Sequence, residues 1–230
     1  MATIINSHIF ILLLVIGGYL LGRLIFTKSR FPLFNPVLIA IAVVICMLKL
    51  LDIEYETFKQ GSYIIDFMLG PSVVAIGYVL YEQSAVLKGK VAMILSSVSV
   101  GAVVGIGSVI LLCRLFGCDD IITYSMQPKS VTTPIAISLA ERSGGVGAIA
   151  SICVIITGVS GSIIAPLILK LIGVKSPIAK GLALGSAVHG MGTAKAMEIG
   201  AIEGAVAGLS IGLMGVATSL FMPIMEAIFY

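Results

Sequence analysis

The residues best suited to chemistry form a short polar run inside an otherwise apolar chain, in the stretch "SMQPKSVTTPIA" of residues 125–136. Lys129 stands here with three hydroxyl residues, Ser130, Thr132 and Thr133. The run interrupts an apolar segment, and a new half-helix is expected to begin beside the hydroxyls. An ammonium group, hydroxyls and the free N–H groups of a helix N-terminus together favour a small carboxylate. These four residues are therefore predicted to bind a substrate anion.

A structural interpretation of the same run is also open. Ser130 or Thr132 would cap the new helix, and Lys129 would extend along apolar surface until its charge reached the membrane interface. The run would then hold no ligand. Intramembrane ionisable residues usually face a cavity or a partner, which favours the anion site.

A second polar cluster follows in "HGMGTAKA", residues 189–196. Its glycines, Gly190 and Gly192, allow the backbone to turn and expose its amides, and Thr193 adds a hydroxyl. His189 could titrate near neutral pH, so it is predicted to couple transport to protons. His189, Gly190, Gly192 and Thr193 are all predicted to bind the substrate. The alternative is a histidine that only packs and hydrogen-bonds.

Composition decides which elements must hold these clusters. The chain of 230 residues is 59% hydrophobic and 11% charged, whereas a soluble domain carries about a quarter charged residues. Apolar stretches recur from end to end, and a helix needs about 20 such residues to cross a membrane. The first run lacks the basic region of a signal peptide and is expected to be a retained helix. Stretches predicted to be membrane helices are Ile9–Phe26, Val37–Leu51, Val91–Leu115, Gly145–Leu169 and Ala201–Tyr230.

Small residues recur at helical spacing within these stretches. Glycines four apart let helix backbones approach closely in lipid, and the expected role here is packing. The glycines concerned are Gly18 and Gly22, Gly101 and Gly105, and Gly204, Gly208 and Gly212.

Three further apolar segments are interrupted by polar residues or proline, and each divides into pieces of about ten residues, too short to span alone. Backbone freed by such a break is tolerated at membrane depth only beside protein or a water-filled cavity. Interrupted segments of this kind point to a transporter site. They are Tyr63–Tyr81, broken at Leu69–Ser72; Ile121–Ala140, broken at residues 126–134; and Ile178–Ile199, broken at Ser186–Ala196.

Loop charges orient the predicted helices. Basic residues favour the cytoplasmic side, which places the N-terminus outside. With Gly145–Leu169 crossing once, the segment that holds Lys129 begins and ends on the outer side as a re-entrant hairpin. A cysteine at Glu141 that is labelled only from the cytoplasm would contradict this. Residues expected in the cytoplasm are Arg23, Lys28, Arg30, Lys88, Lys90, Lys170, Lys175 and Lys180.

Other classes of function find no support in the sequence. There is no Walker loop, no HExxH and no dinucleotide fingerprint, so no cofactor and no catalytic or metal site is predicted. The four cysteines lack ligand spacing, and no basic patch suggests nucleic acid. Ser130 is adjacent to Lys129 and is expected to point elsewhere on a helix, so an enzyme is not predicted.

Several of these stretches resemble the LrgB/CidB family. They are "NPVLIA", "LGPSVVAIGYVLYEQ", "PKSVTTPIAISLAERSGG" and "GLALGSAVHGMGTAKAMEIGAIEGAVAGLS", and the resemblance covers nearly the whole chain. It implies an all-α, polytopic membrane helix bundle with discontinuous helices, broken or re-entrant, and an inverted-repeat architecture of the transporter type. Residues 1–230 are expected to form a single membrane domain in the inner membrane of a bacterial cell.

The resemblance implies two kinds of function. Some relatives are carriers of small monocarboxylates such as pyruvate, glycolate or lactate; others are antiholin-like or holin-like regulators of murein hydrolases and cell lysis, acting beside a small LrgA/CidA-type membrane protein. A lesion-forming protein has no evident use for a lysine and hydroxyls beside a helix N-terminus, whereas a carrier does. A secondary carrier is therefore predicted, with lysis regulation as the alternative and a homo-oligomer expected from the glycine stripes.

Overall fold

The computed structural model describes residues 7–29, 31, 34, 36–82 and 89–230, so that Arg30 and Lys88 lie outside the described residues. All regular structure within these ranges is helical, which confirms the all-α prediction. The helices are α1 His8–Ser29, α2 Pro36–Leu50, α3 Tyr55–Gly61, α4 Tyr63–Glu82, α5 Val91–Leu115, α6 Asp120–Met126, α7 Thr133–Arg142, α8 Gly147–Leu171, α9 Pro177–Ile199 and α10 Ala201–Phe229.

Four helices in the described ranges, α1, α5, α8 and α10, are long and apolar enough to cross a membrane. With a rise of 1.5 Å per residue, their 22 to 29 residues cover the hydrocarbon thickness of about 30 Å. The predicted stretch Val37–Leu51 is also a helix, but α2 has only 15 residues. It is shorter than a span of about 20 residues requires.

The chain divides into two compact units, Met1–Pro71 and Ser72–Tyr230. In the first unit α1 packs on α2 and α3. A Cβ added at Gly18 would lie 3.5 Å from the Cα of Ala40, and one at Gly22 would lie 2.9 Å from the Cα of Pro36. These two glycines therefore allow the backbones of α1 and α2 to approach closely, as the sequence predicted.

The predicted break at Leu69–Ser72 is wrong. Residues 63–82 form one continuous helix, α4, with Pro71 inside it. Proline removes a single backbone hydrogen bond, and long apolar helices in membranes tolerate that loss. A proline in an apolar run is therefore a weaker signal for a break than a proline among polar residues.

The core of the second unit lies where α5, α8 and α10 meet the segments between them. Small and branched side chains fill it, because small residues let helix backbones approach. Its buried members include Ile94, Val98 and Ala102 of α5, Val131 and Ala136 beside the first polar run, Ala150 and Val154 of α8, and Val206, Leu209 and Met214 of α10.

Candidate substrate site between two helical hairpins

The first polar run is a break in a hairpin. Helix α6 ends at Met126, residues 127–132 are not helical, and α7 begins at Thr133, which confirms the predicted interruption. The backbone N–H of Val146 donates to Ser125 Oγ at 2.8 Å, so the residue that follows α7 and its loop lies beside the residue that precedes the break. If the chain crossed the membrane between Ser125 and Val146, these two residues would be about 30 Å apart. Residues 120–142 are called the first hairpin below.

Both ends of the first hairpin lie at the C-terminal end of α10. Just after the hairpin, Ser143 Oγ donates to Glu226 Oε2 at 3.1 Å. Near its start, the Tyr124 and Tyr230 rings lie 5.1 Å apart. Arg114, in the last turn of α5, lies 5.1 Å from the ring of Tyr230. The hairpin thus enters and leaves at one end of the bundle, as the re-entrant prediction requires; that this end faces outside stays a prediction.

The second polar cluster also forms a hairpin, which the sequence did not predict. His189 has φ 45° and ψ −132° and interrupts α9, as expected for a segment broken between Ser186 and Ala196. Leu184 and Ala196 nevertheless belong to one buried cluster. In a continuous helix their twelve-residue separation would place them about 18 Å apart. Helix α9 therefore folds back on itself, and residues 177–199 are called the second hairpin.

The two hairpins enter from opposite ends of α8. The first returns at Val146, directly before α8 begins. The second has its ends beside the C-terminus of α8, because Lys180 and Ile199 line one cavity with Lys170. This opposition favours the inverted-repeat architecture, which stays a prediction.

The tips of the two hairpins are residues 127–132 in the first and residues 189–193 in the second. Both tips lie beside the same part of α8. His189 Nε2 lies 2.9 Å from the carbonyl oxygen of Val154. Val131 of the first tip belongs to the same buried cluster as Val154. The structure thus brings the two predicted clusters to the same stretch of one membrane-spanning helix.

The first tip carries polar groups without partners. Lys129 Nζ donates to Ser130 Oγ at 3.3 Å, which contradicts the expectation that the two side chains point apart; residues 127–132 are not helical, so helical spacing does not apply. Thr132 Oγ1 is buried with no hydrogen-bond partner. Gln127 is 2% exposed, and neither its amide nitrogen nor its amide oxygen has a partner.

Lys129 also lacks a counter-ion among the residues that the structure describes. In the described parts of the chain the one ion pair joins Lys195 to Glu198 at 2.7 Å, as the sequence suggested for these two residues. Lys129 is therefore a largely enclosed cation whose charge no carboxylate of these parts balances.

The capping interpretation explains only part of this tip. Thr132 does occupy the N-cap position of α7, with φ −67° and ψ 150°, but its side chain makes no capping hydrogen bond. Thr133 opens the helix, and Pro134 occupies its first turn. The hydroxyl of Thr132 therefore neither caps α7 nor is exposed to solvent.

The second tip, by contrast, is bonded to the protein itself. His189 is 6% exposed, and since a carbonyl only accepts, its Nε2 carries the proton given to Val154; Nδ1 is the nitrogen left to take another. Thr193 Oγ1 donates to the carbonyl of His189 at 3.2 Å. A Cβ at Gly192 would lie 2.7 Å from Val188 Cβ, whereas Gly190 faces open space. The turn therefore leaves no room for a side chain at position 192, whereas position 190 has room for one.

Sequence reasoning missed several residues of this region. Gln127 belonged to the quoted polar run and precedes a proline, so its position was a usable signal. Val154 and Gly158 carried no such signal in the sequence, because their contacts with the second tip are tertiary. A Cβ at Gly158 would lie 2.7 Å from His189 Cε1, so this glycine makes room for the ring.

Gly105 of α5 has a similar relation to the first tip. The atom nearest to a Cβ added there is Ser130 Oγ, at 3.9 Å, and a Cβ at Gly101 would have no atom within 4 Å. The expectation that these two glycines allow close helix packing is wrong. At Gly105 the helix faces the polar run instead of another helix.

Long apolar helices and two opposed hairpins define this chain as a polytopic helical membrane protein. The model of the LrgB-like family matches residues 15–228, and the chain belongs to that family. No solved structure matches the chain significantly.

The family includes curated relatives that align over most of their length. The chain is 36% identical over 222 residues to "Uncharacterized protein YxaC" of Bacillus subtilis (strain 168), covering 96% of each chain. It is 37% identical over 207 residues to "Antiholin-like protein LrgB" of Bacillus mycoides (strain KBAB4), covering 90% of each chain. The protein of the same name from Bacillus cereus (strain B4264) gives the same identity and coverage.

Proposed function

We propose that this protein is a secondary carrier of small monocarboxylates, which bind between the tips of the two hairpins. The observation that carries the proposal is the first tip. Among the described residues Lys129 has no carboxylate partner, and the buried polar atoms of Gln127 and Thr132 have no hydrogen-bond partner. Buried polar groups without partners cost free energy. A carboxylate of the pyruvate, glycolate or lactate class supplies a negative charge for Lys129 and acceptors for the two donors of this tip, the Gln127 amide N–H and the Thr132 hydroxyl.

The proposed roles follow from the position of each group. Lys129 supplies the positive charge, while Ser130, Thr132 and Thr133 supply hydroxyls at the N-terminus of α7. Free N–H groups at a helix N-terminus add a favourable field for an anion.

The second tip closes the proposed site from the other side, and His189 is its proton-coupling group. The Nε2 bond to Val154 fixes the ring, while Nδ1 stays available for the transported proton. Gly190, Gly192 and Thr193 shape the turn that presents this ring. Because the hairpins open toward opposite ends of α8, displacing one tip at a time would give alternating access.

A second candidate function rests on the names of the relatives. Two of them are called antiholin-like, which suggests a regulator of murein hydrolase activity and lysis that acts with an LrgA/CidA-type membrane partner. Such a protein would alter membrane permeability, directly or through its partner, without saturable transport. Either function would place the chain in the bacterial inner membrane, with a homo-oligomer as the expected state.

The test is uptake of radiolabelled pyruvate and glycolate by proteoliposomes that contain the purified protein alone. Lys129→Ala is expected to reduce uptake roughly 30-fold or more, because it removes one partner of an enclosed charge pair. Lys195→Ala is the matched control: it also removes one lysine charge, but from an exposed pair with Glu198, and it should transport normally.

Circular dichroism and thermal unfolding would verify that both lysine variants fold. Saturable uptake that is lost only in Lys129→Ala supports the carrier and its anion site. Normal uptake by Lys129→Ala would reject the site. Leakage of an unrelated entrapped dye, without saturable uptake, would favour the antiholin-like alternative.

A further inference from the structure

A separate cavity lies at the mouth of the second hairpin, where α8 ends and α9 begins. It has a volume of about 350 Å³, and three lysines, Lys170, Lys175 and Lys180, line it. The remaining lining is mostly apolar and includes Leu169 and Ile199. Residues from the end of α8, from the connecting loop and from both ends of α9 thus line one open, basic cavity.

The charge of this cavity is not balanced by the described parts of the protein. None of the three lysines has an ion-pair partner there, since the one ion pair joins Lys195 to Glu198. The N-terminus of α9 begins within this group of lysines and adds the positive end of a helix dipole. Three like charges around one cavity repel each other, so an anion bound among them would relieve that repulsion.

The lining also indicates what kind of anion fits. Lys170 occupies the last turn of α8, a helix long and apolar enough to cross the membrane, so the cavity lies where that helix emerges from lipid. A small free anion would gain nothing from the apolar wall. A phospholipid combines a phosphate for the lysines with glycerol and acyl carbons for Leu169 and Ile199, and basic cavities between membrane helices bind such headgroups.

We propose that this cavity binds the headgroup phosphate of an anionic phospholipid. The positive-inside rule predicts the cytoplasmic leaflet, where anionic lipid gathers basic segments. The lipid would contact the end of α8 and both ends of the second hairpin at once, and so would hold the mouth of that hairpin together. The proposal does not depend on transport of carboxylates.

The experiment measures binding of phosphatidylglycerol to the full-length protein in phosphatidylcholine nanodiscs and by native mass spectrometry. The variant replaces Lys170, Lys175 and Lys180 together by glutamine. The matched control replaces Lys49, Lys59 and Lys90 by glutamine, which changes the net charge equally at lysines that do not line this cavity. The cavity variant is expected to bind about 100-fold more weakly, and the control less than about threefold.

Three results would overturn the proposal. The first is unchanged binding by the cavity variant, and the second is an equal loss in the control, which would mean that net charge alone attracts the lipid. The third is inorganic phosphate stabilising the wild-type protein as strongly as phosphatidylglycerol does, which would assign the cavity to a free anion. If the triple variant fails to fold, each single lysine variant should still bind roughly fivefold more weakly.

Discussion

Each hairpin tip interrupts a helix, but the two interruptions differ in structure. In the first hairpin the interruption is a non-helical segment, residues 127–132, which keeps buried polar atoms without partners. In the second it is a single residue, His189, in a backbone conformation that residues with a Cβ rarely adopt. There the ring and the following hydroxyl are both hydrogen-bonded to protein carbonyls.

Both clusters were predicted to line the substrate site, but their different hydrogen bonding suits them to different tasks. Unsatisfied groups at the first tip are suited to bind a ligand, because a ligand would complete their hydrogen bonds. The second tip is strained, and its Nε2 and Thr193 hydroxyl are bonded to the protein. It is suited to hold a shape, or to change it, because strain at one residue is kept only by its surroundings. Variants at the two tips should therefore respond differently.

The largest expected effect is at the contact that holds the second tip. A Cβ at Gly158 would lie 2.7 Å from His189 Cε1 and 2.8 Å from Met191 Sδ. Gly158→Ala should therefore push the ring away from Val154 and lower the free energy of unfolding by about 2–3 kcal/mol, as overpacking of a close contact does. Chemical unfolding in detergent measures this change.

Gly101→Ala is the control for the glycine substitution, since Gly101 is also inside a membrane-spanning helix but has no atom within 4 Å of an added Cβ. Alanine there should be neutral or should stabilise the helix by up to about 1 kcal/mol. Equal stability of the two variants would show that α8 and the second tip are not in contact at Gly158.

The next effect tests the backbone of the second tip. At φ 45° and ψ −132° a residue with a Cβ is strained by about 1–3 kcal/mol, whereas glycine is not. His189→Gly should therefore be more stable than His189→Ala by about 1–2 kcal/mol, although both lack the ring. Apparent melting temperatures of the purified variants rank the two.

The stability order of the glycine and alanine variants should reverse at a helical position of the same hairpin. Lys195→Gly should be less stable than Lys195→Ala by about 1 kcal/mol, because glycine costs more entropy in a helix. If alanine is the better residue at position 189 as well, the chain is helical there and the second hairpin does not fold back.

Local sequence signals predicted the elements of this structure better than their arrangement. Apolar length located α5 at its observed bounds, Val91–Leu115, and the polar run 126–134 predicted the first break. Proline misled at Pro71, where a single polar residue, Ser72, lies beside it and the helix continues. Periodicity and composition thus identify helices and polar interruptions, because both are properties of neighbouring residues.

The site depends on contacts that no local pattern encodes. The second tip lies against α8 because Val154 accepts a hydrogen bond from His189, which lies 35 positions away along the chain, and because Gly158 leaves space for the ring. A break near His189 was predicted but the fold-back was not, because it depends on the packing of the second half of α9 against Leu184 in the first half. Lys129 and Ser130 were assigned opposite directions only because a helix was assumed where the chain is not helical.

The smallest effect makes the sharpest comparison between the tips, because the same substitution should act with opposite sign. Thr132→Val removes a buried hydroxyl that has no partner, and the empty protein should become more stable by about 1 kcal/mol. Thr193→Val removes a hydroxyl that donates to His189, and the protein should become less stable by a similar amount.

Valine keeps the branched shape of threonine, so packing should change little in either threonine variant, and differential unfolding in detergent without substrate resolves the two signs. Added pyruvate should stabilise wild type and Thr193→Val more than Thr132→Val, because only the last has lost a group proposed to bind it. Equal destabilisation by both substitutions would mean that the Thr132 hydroxyl is already satisfied within the protein or by water. The first tip would then have one free group fewer, and the functional contrast between the two hairpins would rest on Lys129 and Gln127 alone.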